Sequence, residues 1–146
     1  MTFYIFLLAC CAAASTGFFF KPGPWYATLA KPSFTPPNWV FPVAWLIIYV
    51  LLAWAGYRLS VMPGSQDVLA LWAAQIALNT LWTPVFFGAN RVFAGMLILA
   101  LLWLVVAAMV VMALQLDVMT GLILFPYLIW LCVAGALNLS IWRNNR

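Results

Sequence analysis

The sequence contains no histidine and no glutamate, and its only acids, Asp67 and Asp117, stand against six lysines and arginines. Without His or Glu there is no histidine general base, no paired-carboxylate acid–base machinery and no imidazole metal site. Charged residues are 5% of the 146, where a soluble domain carries about 25%. A soluble domain is thereby excluded, and so is most polar catalysis. Cysteine is scarce too. Cys10, Cys11 and Cys132 all lie in apolar stretches, and the first two are adjacent. That is not a disulfide framework; such thiols pack as small hydrophobes. No Asp, Glu, Lys, Arg or His lies within the apolar interior of a span, so proton-relay or ion-coupled transport lacks its parts.

What the chain has instead is apolar: 68% hydrophobic and 17% aromatic, with nine tryptophans. A membrane-crossing helix needs roughly 20 apolar residues. Charge-free stretches predict spans at 2–20, 39–58, 68–88, 92–114 and 118–142. The fold class expected is an all-α membrane protein, one bundle of five transmembrane helices over 1–146, with no room for a soluble domain. At the N-terminus, Ala12-Ala13-Ala14-Ser15 offers small residues of the kind found at cleavage sites, and Leu7-Leu8-Ala9-Cys10 resembles a lipoprotein attachment site. No Lys or Arg precedes the apolar run, and the run is long enough to span, so a retained helix is expected.

The longest connection, 21–38, holds five prolines and a glycine, which prevent a long helix. Its Trp25, Tyr26, Leu29 and Phe34 argue against simple disorder and place it against the bundle mouth as a lid. Met62-Pro63-Gly64-Ser65 reads as a turn, Gly88-Ala89-Asn90-Arg91 as a tight connection, and Asp117 as an N-cap for the fifth span. Five spans put Lys21, Lys31, Arg91, Arg143 and Arg146 on one side and Arg58 on the other. The positive-inside rule then sets the C-terminus and the long loop in the cytoplasm. Trp39, Trp72 and Trp142 near span ends fit an interfacial belt. Trp45, Trp54, Trp82, Trp103 and Trp130 lie deeper, where an indole must pack between helices or line a cavity.

Polar residues within spans are the sharpest clues. Gln75, Asn79 and Thr83 fall at i, i+4, i+8 on one helix face, flanked by Trp82 and Phe86. Asn138, Ala134, Trp130 and Pro126 form a second stripe, with Tyr127 beside it. Pro42, Trp45 and Tyr49 form a third. At 1.5 Å per residue, Trp45 lies roughly 9 Å and Asn79 roughly 12 Å from the lid side, so the three faces meet in that half. Two readings stand: the amides are interhelical glue worth about 1 kcal/mol each, or they are polar points in an aromatic pocket for a flat, largely apolar ligand. An anionic tail on such a ligand would meet Lys31, Arg91 or Arg143 at the rim. The span from Phe93 to Leu114 carries no polar side chain and reads as lipid-facing or core. Small residues at Ala9/Ala13/Gly17 and Ala73/Ala77 would let helices approach closely, within the chain or in a homodimer. No nucleic-acid partner is expected.

The stretch Trp25-Tyr26-x-x-Leu29-x-Lys31-Pro32-x-Phe34-x-Pro36-Pro37-x-Trp39-Val40-Phe41-Pro42-x-x-Trp45 resembles the first signature of the tryptophan-rich sensory protein family, also called the translocator protein or peripheral benzodiazepine receptor family. Gln75-x-x-x-Asn79-x-x-Trp82-x-x-x-Phe86-Phe87-Gly88 and Pro126-Tyr127-x-x-Trp130 followed by Leu137-Asn138 are similar to its later motifs, in the expected order. The resemblance implies a five-helix protein, usually a homodimer, of bacterial membranes or the mitochondrial outer membrane. It implies a sensor, receptor or translocator for porphyrins and haem, for benzodiazepine-type drugs and, in many members, for cholesterol. Porphyrin or haem would be ligand rather than required cofactor. The alternative it raises is light- and oxygen-dependent porphyrin breakdown. The pocket it implies uses Tyr26, Trp45, Asn79, Trp82, Tyr127, Trp130 and Ala134; the stripe argument adds Asn138. The family's sterol motif needs a Tyr after Leu-Asn, where this chain has Leu139, so tetrapyrrole is the favoured ligand over a sterol.

Overall fold

The computed structural model describes residues 2–146, and among them every regular element is helical. The elements are α1 (Thr2–Phe19), α2 (Pro24–Thr28), α3 (Val40–Ser60), α4 (Gln66–Thr83), α5 (Val92–Leu116) and α6 (Val118–Asn144). Four stretches are long and apolar enough to cross a membrane: Val40–Ser60, Gln66–Gly88, Val92–Leu116 and Val118–Asn144. The apolar part of α1, Phe3–Phe19, is shorter, about 26 Å at 1.5 Å per residue. By length alone, then, four helices rather than five clearly meet the requirement.

Local chemistry sets the helix ends. The prolines of the long connection leave room for one five-residue helix, α2, with Pro24 at its start. Pro84 opens a π-helical turn, Pro84–Gly88, that prolongs α4. There the Ala89 N–H donates to the Pro84 carbonyl at 2.8 Å, five residues back. Asn90, with φ of 55°, then turns the chain into α5. Gly64 (φ 79°) closes the α3–α4 turn in a backbone region that favours glycine. Asp117 caps α6 as its position suggested, its carboxylate accepting from the Thr120 backbone N–H at 3.0 Å.

The long helices close a ring. α1 packs on α3 and α4, α4 on α5, α5 on α6, and α6 returns to α3. The half nearer Asp117 is filled, by Leu52, Ala55 and Leu59 of α3, Val68 and Trp72 of α4, Val106, Met109 and Ala113 of α5, and Leu124 of α6. Close approach there needs glycine. A Cβ on Gly121 would stand 2.4 Å from Leu114 Cδ2 and 2.9 Å from Leu114 Cα. A Cβ on Gly56 would enter the Phe6 ring.

One tryptophan differs from its expected setting. Trp72 is not in an interfacial belt. It is 4% exposed, and its indole N–H donates to Leu52 O at 3.0 Å. The reason is that α4 begins at Gln66, which puts Trp72 nearly two turns inside the helix, facing α3. Trp54 and Trp103 do pack against a neighbouring helix or line a hollow, as their depth suggested, but at the bundle surface, 44% and 38% exposed. Trp103 meets its polar requirement on the surface, where its N–H lies 3.2 Å from Cys132 Sγ. Trp54 lies against the rings of Phe3 and Tyr57. Of the small-residue stripes, Ala13 is buried within the bundle, whereas Ala73 and Ala77 face outward.

Two predictions follow from these ends and contacts. Gly121→Ala gains up to about 1 kcal/mol of helix propensity but must displace a backbone atom, at about 1–3 kcal/mol. It should therefore lower the melting temperature in detergent, while Gly135→Ala, with open space at its Cβ, should raise it. Equal shifts in the two variants would contradict the packing. At Asp117, hydrogen bonds from the Thr120 hydroxyl, Arg58 and the Thr120 backbone hold the carboxyl at about 2, below its usual 3.8. A carboxyl depressed on folding stabilises above its unfolded value and loses that contribution as pH falls from about 4 through about 2. Asp117→Asn should thus melt below the parent at pH 7 and converge with it near pH 2; coincident melting at pH 7 would remove the cap from the account.

Candidate functional site

The half of the bundle under the 20–39 connection is hollow. A cavity of about 780 Å³ lies there, walled by α1, α3, α4, α5 and α6 and roofed by Lys21, Pro22, Tyr26 and Asn38. Its floor and sides are built from the three stripes. Phe41, Pro42, Trp45 and Tyr49 come from α3, Asn79, Trp82, Phe86 and Phe87 from α4 and its π turn, and Trp130, Ala134, Leu137 and Asn138 from α6. Pro84 forces the π turn, and that extra residue per turn sets Phe86 and Phe87 toward the cavity together. The Trp82 ring stacks on Phe86 at 4.9 Å. Trp45 stacks on Tyr49 at 5.7 Å and meets Trp130 edge-on at 6.4 Å. On the α1–α3 side, the lining residues Cys11, Ala14, Leu46 and Val50 are also exposed on the outer face, so that side is not sealed.

The amides do two jobs. Tyr49 OH donates to Asn79 Oδ1 at 2.9 Å, and Asn79 Nδ2 donates to Tyr127 OH at 2.8 Å. Tyr127 OH in turn donates to Gln75 Oε1 at 2.9 Å. This chain ties α3, α4 and α6 together. A second link runs from the Trp82 indole N–H to Asn138 Oδ1 at 3.2 Å and from Asn138 Nδ2 to Val92 O at 3.0 Å. Gln75 is wholly buried behind the wall and serves as glue, whereas Asn79 and Asn138 are glue and lining at once. Among the described residues, two buried side-chain polar atoms are left without a partner, Gln75 Nε2 and Trp130 Nε1. The second belongs to a residue of the cavity wall.

Of the residues expected at the site, Tyr26, Trp45, Asn79, Trp82, Trp130, Ala134 and Asn138 line one cavity. Tyr127 does not. Its two hydroxyl hydrogen bonds draw it between α4 and α6, behind Asn79, where it is buried. Leu99 and Leu102 of α5 also reach the wall, from a helix whose uniform apolarity gave no such signal.

The lid rests on the mouth as its aromatics suggested. Tyr26 sits edge-on to Phe87 at 5.4 Å and Trp25 to Phe86 at 5.8 Å. Lys31 Nζ lies 4.4 Å from the Tyr26 ring centroid. Burial pushes the Tyr26 phenol up, so the hydroxyl stays neutral. A tether went unseen in the sequence: Asn145 at the end of α6. Its Oδ1 accepts from the Ala30 N–H at 2.9 Å, and its Nδ2 donates to Ala30 O at 3.0 Å and to Ile141 O at 2.8 Å. One exposed amide thus pins the lid to α6.

The profile described as the TspO/MBR family matches residues 5–143. The chain is 50% identical to "Protein CrtK" of Rhodobacter capsulatus, over 98% of this chain and 92% of that protein. It is 46% identical to the "Tryptophan-rich sensory protein" of Cereibacter sphaeroides, over 98% and 90% of the two chains. With the "Translocator protein" of Sus scrofa it shares 37% identity over 84% of this chain and 75% of that one. An all-helical bundle with several membrane-length helices, a Trp-walled hollow and a match over nearly its whole length make one statement plain: this chain belongs to the TspO/MBR family of integral, multi-pass membrane proteins.

Proposed function

We propose that this sensor or translocator binds a planar, largely apolar tetrapyrrole, protoporphyrin or haem, in the cavity beneath the lid, and that drug-like aromatic molecules share the site. The observation that carries the reading is a single cavity of about 780 Å³ walled by the indoles of Trp45, Trp82 and Trp130, with the amides of Asn79 and Asn138 among them. Trp45 and Trp82 offer ring faces, Tyr26 and Asn79 polar edges, and a cavity of about 780 Å³ falls within the range of small-molecule pockets. Lys21 at the roof suits a propionate. With no histidine in the chain, recognition rests on shape and stacking rather than on an imidazole ligand to iron.

In this reading α1 is the fifth span. Its apolar length of about 26 Å lies at the short end of what a bilayer accepts. The basic end, with the lid and the C-terminus, faces the cytoplasm. A homodimer fits the outward Ala73/Ala77 stripe of α4, since small residues let helices approach closely.

Two measurements test the site. Protoporphyrin should quench tryptophan fluorescence saturably. Trp130→Phe combined with Tyr26→Ala shrinks one aromatic contact and removes another, each worth about 0.5–1.5 kcal/mol, so the apparent Kd should rise roughly five- to hundredfold; an unchanged Kd would move the ligand elsewhere. For the lid, Asn145→Ala should speed hydrogen exchange at the Ala30 amide roughly two- to tenfold, the worth of one exposed hydrogen bond, with little change in melting temperature. Unaltered exchange would show that the tether does not hold the lid.

A further inference from the structure

A second hollow, separate from the ligand cavity, opens on the outer face of the bundle between α5 and α6. It has about 420 Å³ of space, lined by Met96, Ala100 and Trp103 on one side and Cys132, Gly135 and Leu139 on the other. Nothing lies within 4 Å of a Cβ placed on Gly135. The groove runs toward the basic end of the protein. On α6 the groove-facing positions 132, 135 and 139 continue, at helical spacing, to Arg143. On α5 the series 103, 100, 96 continues to Phe93, whose ring lies 5.3 Å from that of Trp142. Arg146 lies over the Trp142 ring at 5.1 Å, and Arg91 precedes α5.

Charge is the second observation. Asp67 is in the first turn of α4 and Asp117 is bonded to Arg58 at 2.7 Å, both at the opposite end of the bundle. Among the described residues, Arg91, Arg143 and Arg146 have no carboxylate partner. All three are exposed. An apolar furrow at membrane depth leads up to unneutralised guanidinium groups, which bind phosphate well. We propose that the α5–α6 groove is a binding site for an anionic phospholipid of the surrounding bilayer, with one acyl chain along Trp103, Gly135 and Leu139 and the headgroup phosphate among Arg91, Arg143 and Arg146. The Phe93–Trp142 pair marks the level where chain gives way to headgroup, as paired aromatics do at an interface.

Trp103 reports on the groove directly. The protein is placed in nanodiscs of phosphatidylcholine carrying a minor fraction of lipid brominated on its acyl chains, either phosphatidylglycerol or phosphatidylcholine. The Trp103 contribution is the difference between the parent and Trp103→Phe. Brominated phosphatidylglycerol should quench Trp103 at several-fold lower mole fraction than brominated phosphatidylcholine, because each surface arginine adds a preference of roughly fivefold. The preference should shrink as salt is raised and vanish in Arg91→Gln/Arg143→Gln/Arg146→Gln. Gly135→Leu, which fills the groove, should protect Trp103 from both lipids while sparing protoporphyrin binding. The salt titration uses the parent protein and so stands even if the triple variant does not fold. Equal quenching by the two lipids would mean unselective boundary lipid, and no quenching by either would mean that a second copy covers the groove. Either result overturns the proposal.

Discussion

No water reaches the middle of a bilayer, so each polar side chain placed there must find its partner inside the protein. That constraint organises the bundle. Two hydrogen-bonded chains, Tyr49–Asn79–Tyr127–Gln75 and Trp82–Asn138–Val92, join α3, α4, α5 and α6 across the hollow half. Between apolar helices in lipid there is little hydrophobic driving force for association, and a cavity forfeits packing contacts as well. The polar chains supply, at that level, the specificity that interdigitating Leu and Val supply nearer Asp117. Their cost is asymmetric: deleting one member strands its neighbours, which is more damaging than losing the bond itself. Asn79, Tyr127 and Asn138 are the most exposed to this logic, because each accepts one bond and donates another.

The two ends of the bundle are accordingly different materials. The Asp117 end is dense, stapled by Arg58, Thr120 and the α6 cap, with glycines where helices touch. The lid end is hollow, basic and closed by a short proline-bounded helix that rests on Phe86 and Phe87. Lys21 and Lys31 there lie over the rings of Phe18 and Tyr26, which lets cations sit at the rim of an apolar chamber without carboxylates. An acidic rim would repel a carboxylate-bearing ligand; the near-absence of acids leaves the mouth electrostatically open to one.

Much of this could be read from residues in order, for identifiable reasons. Spans follow from apolar run length. The Gly64 turn and the Asp117 cap follow from local stereochemistry, and the Asn79 and Asn138 stripes follow from helical spacing. Spacing fixes which residues share a face, but not how far the helix is rotated about its axis. Tyr127 shows the difference: it neighbours Trp130 in the stripe, yet its hydroxyl is drawn to Asn79 and Gln75, behind the wall. Trp72 differs for the same reason, since nearness to a span end does not say whether a ring points inward. The length of α1 sits so near the spanning threshold that counting residues does not separate four clear spans from five. Asn145 was invisible because its partners are backbone atoms 115 residues away, and nothing in its neighbours marks an exposed terminal amide as a tether.

The apolar helix α5 shows how a featureless sequence still shapes function. From Phe93 to Leu114 it offers no polar group, and on that basis it reads as filler. Yet Leu99 lines both the central cavity and the outer groove, so one leucine side chain is part of the partition between them. Leu102 extends the inner wall. A polar residue at either position would place one more group in need of a partner against a largely apolar wall. A smaller one would thin the partition between a ligand cavity and the lipid. The uniformity of α5 suits its place: it faces the central cavity on one side and the outer groove on the other.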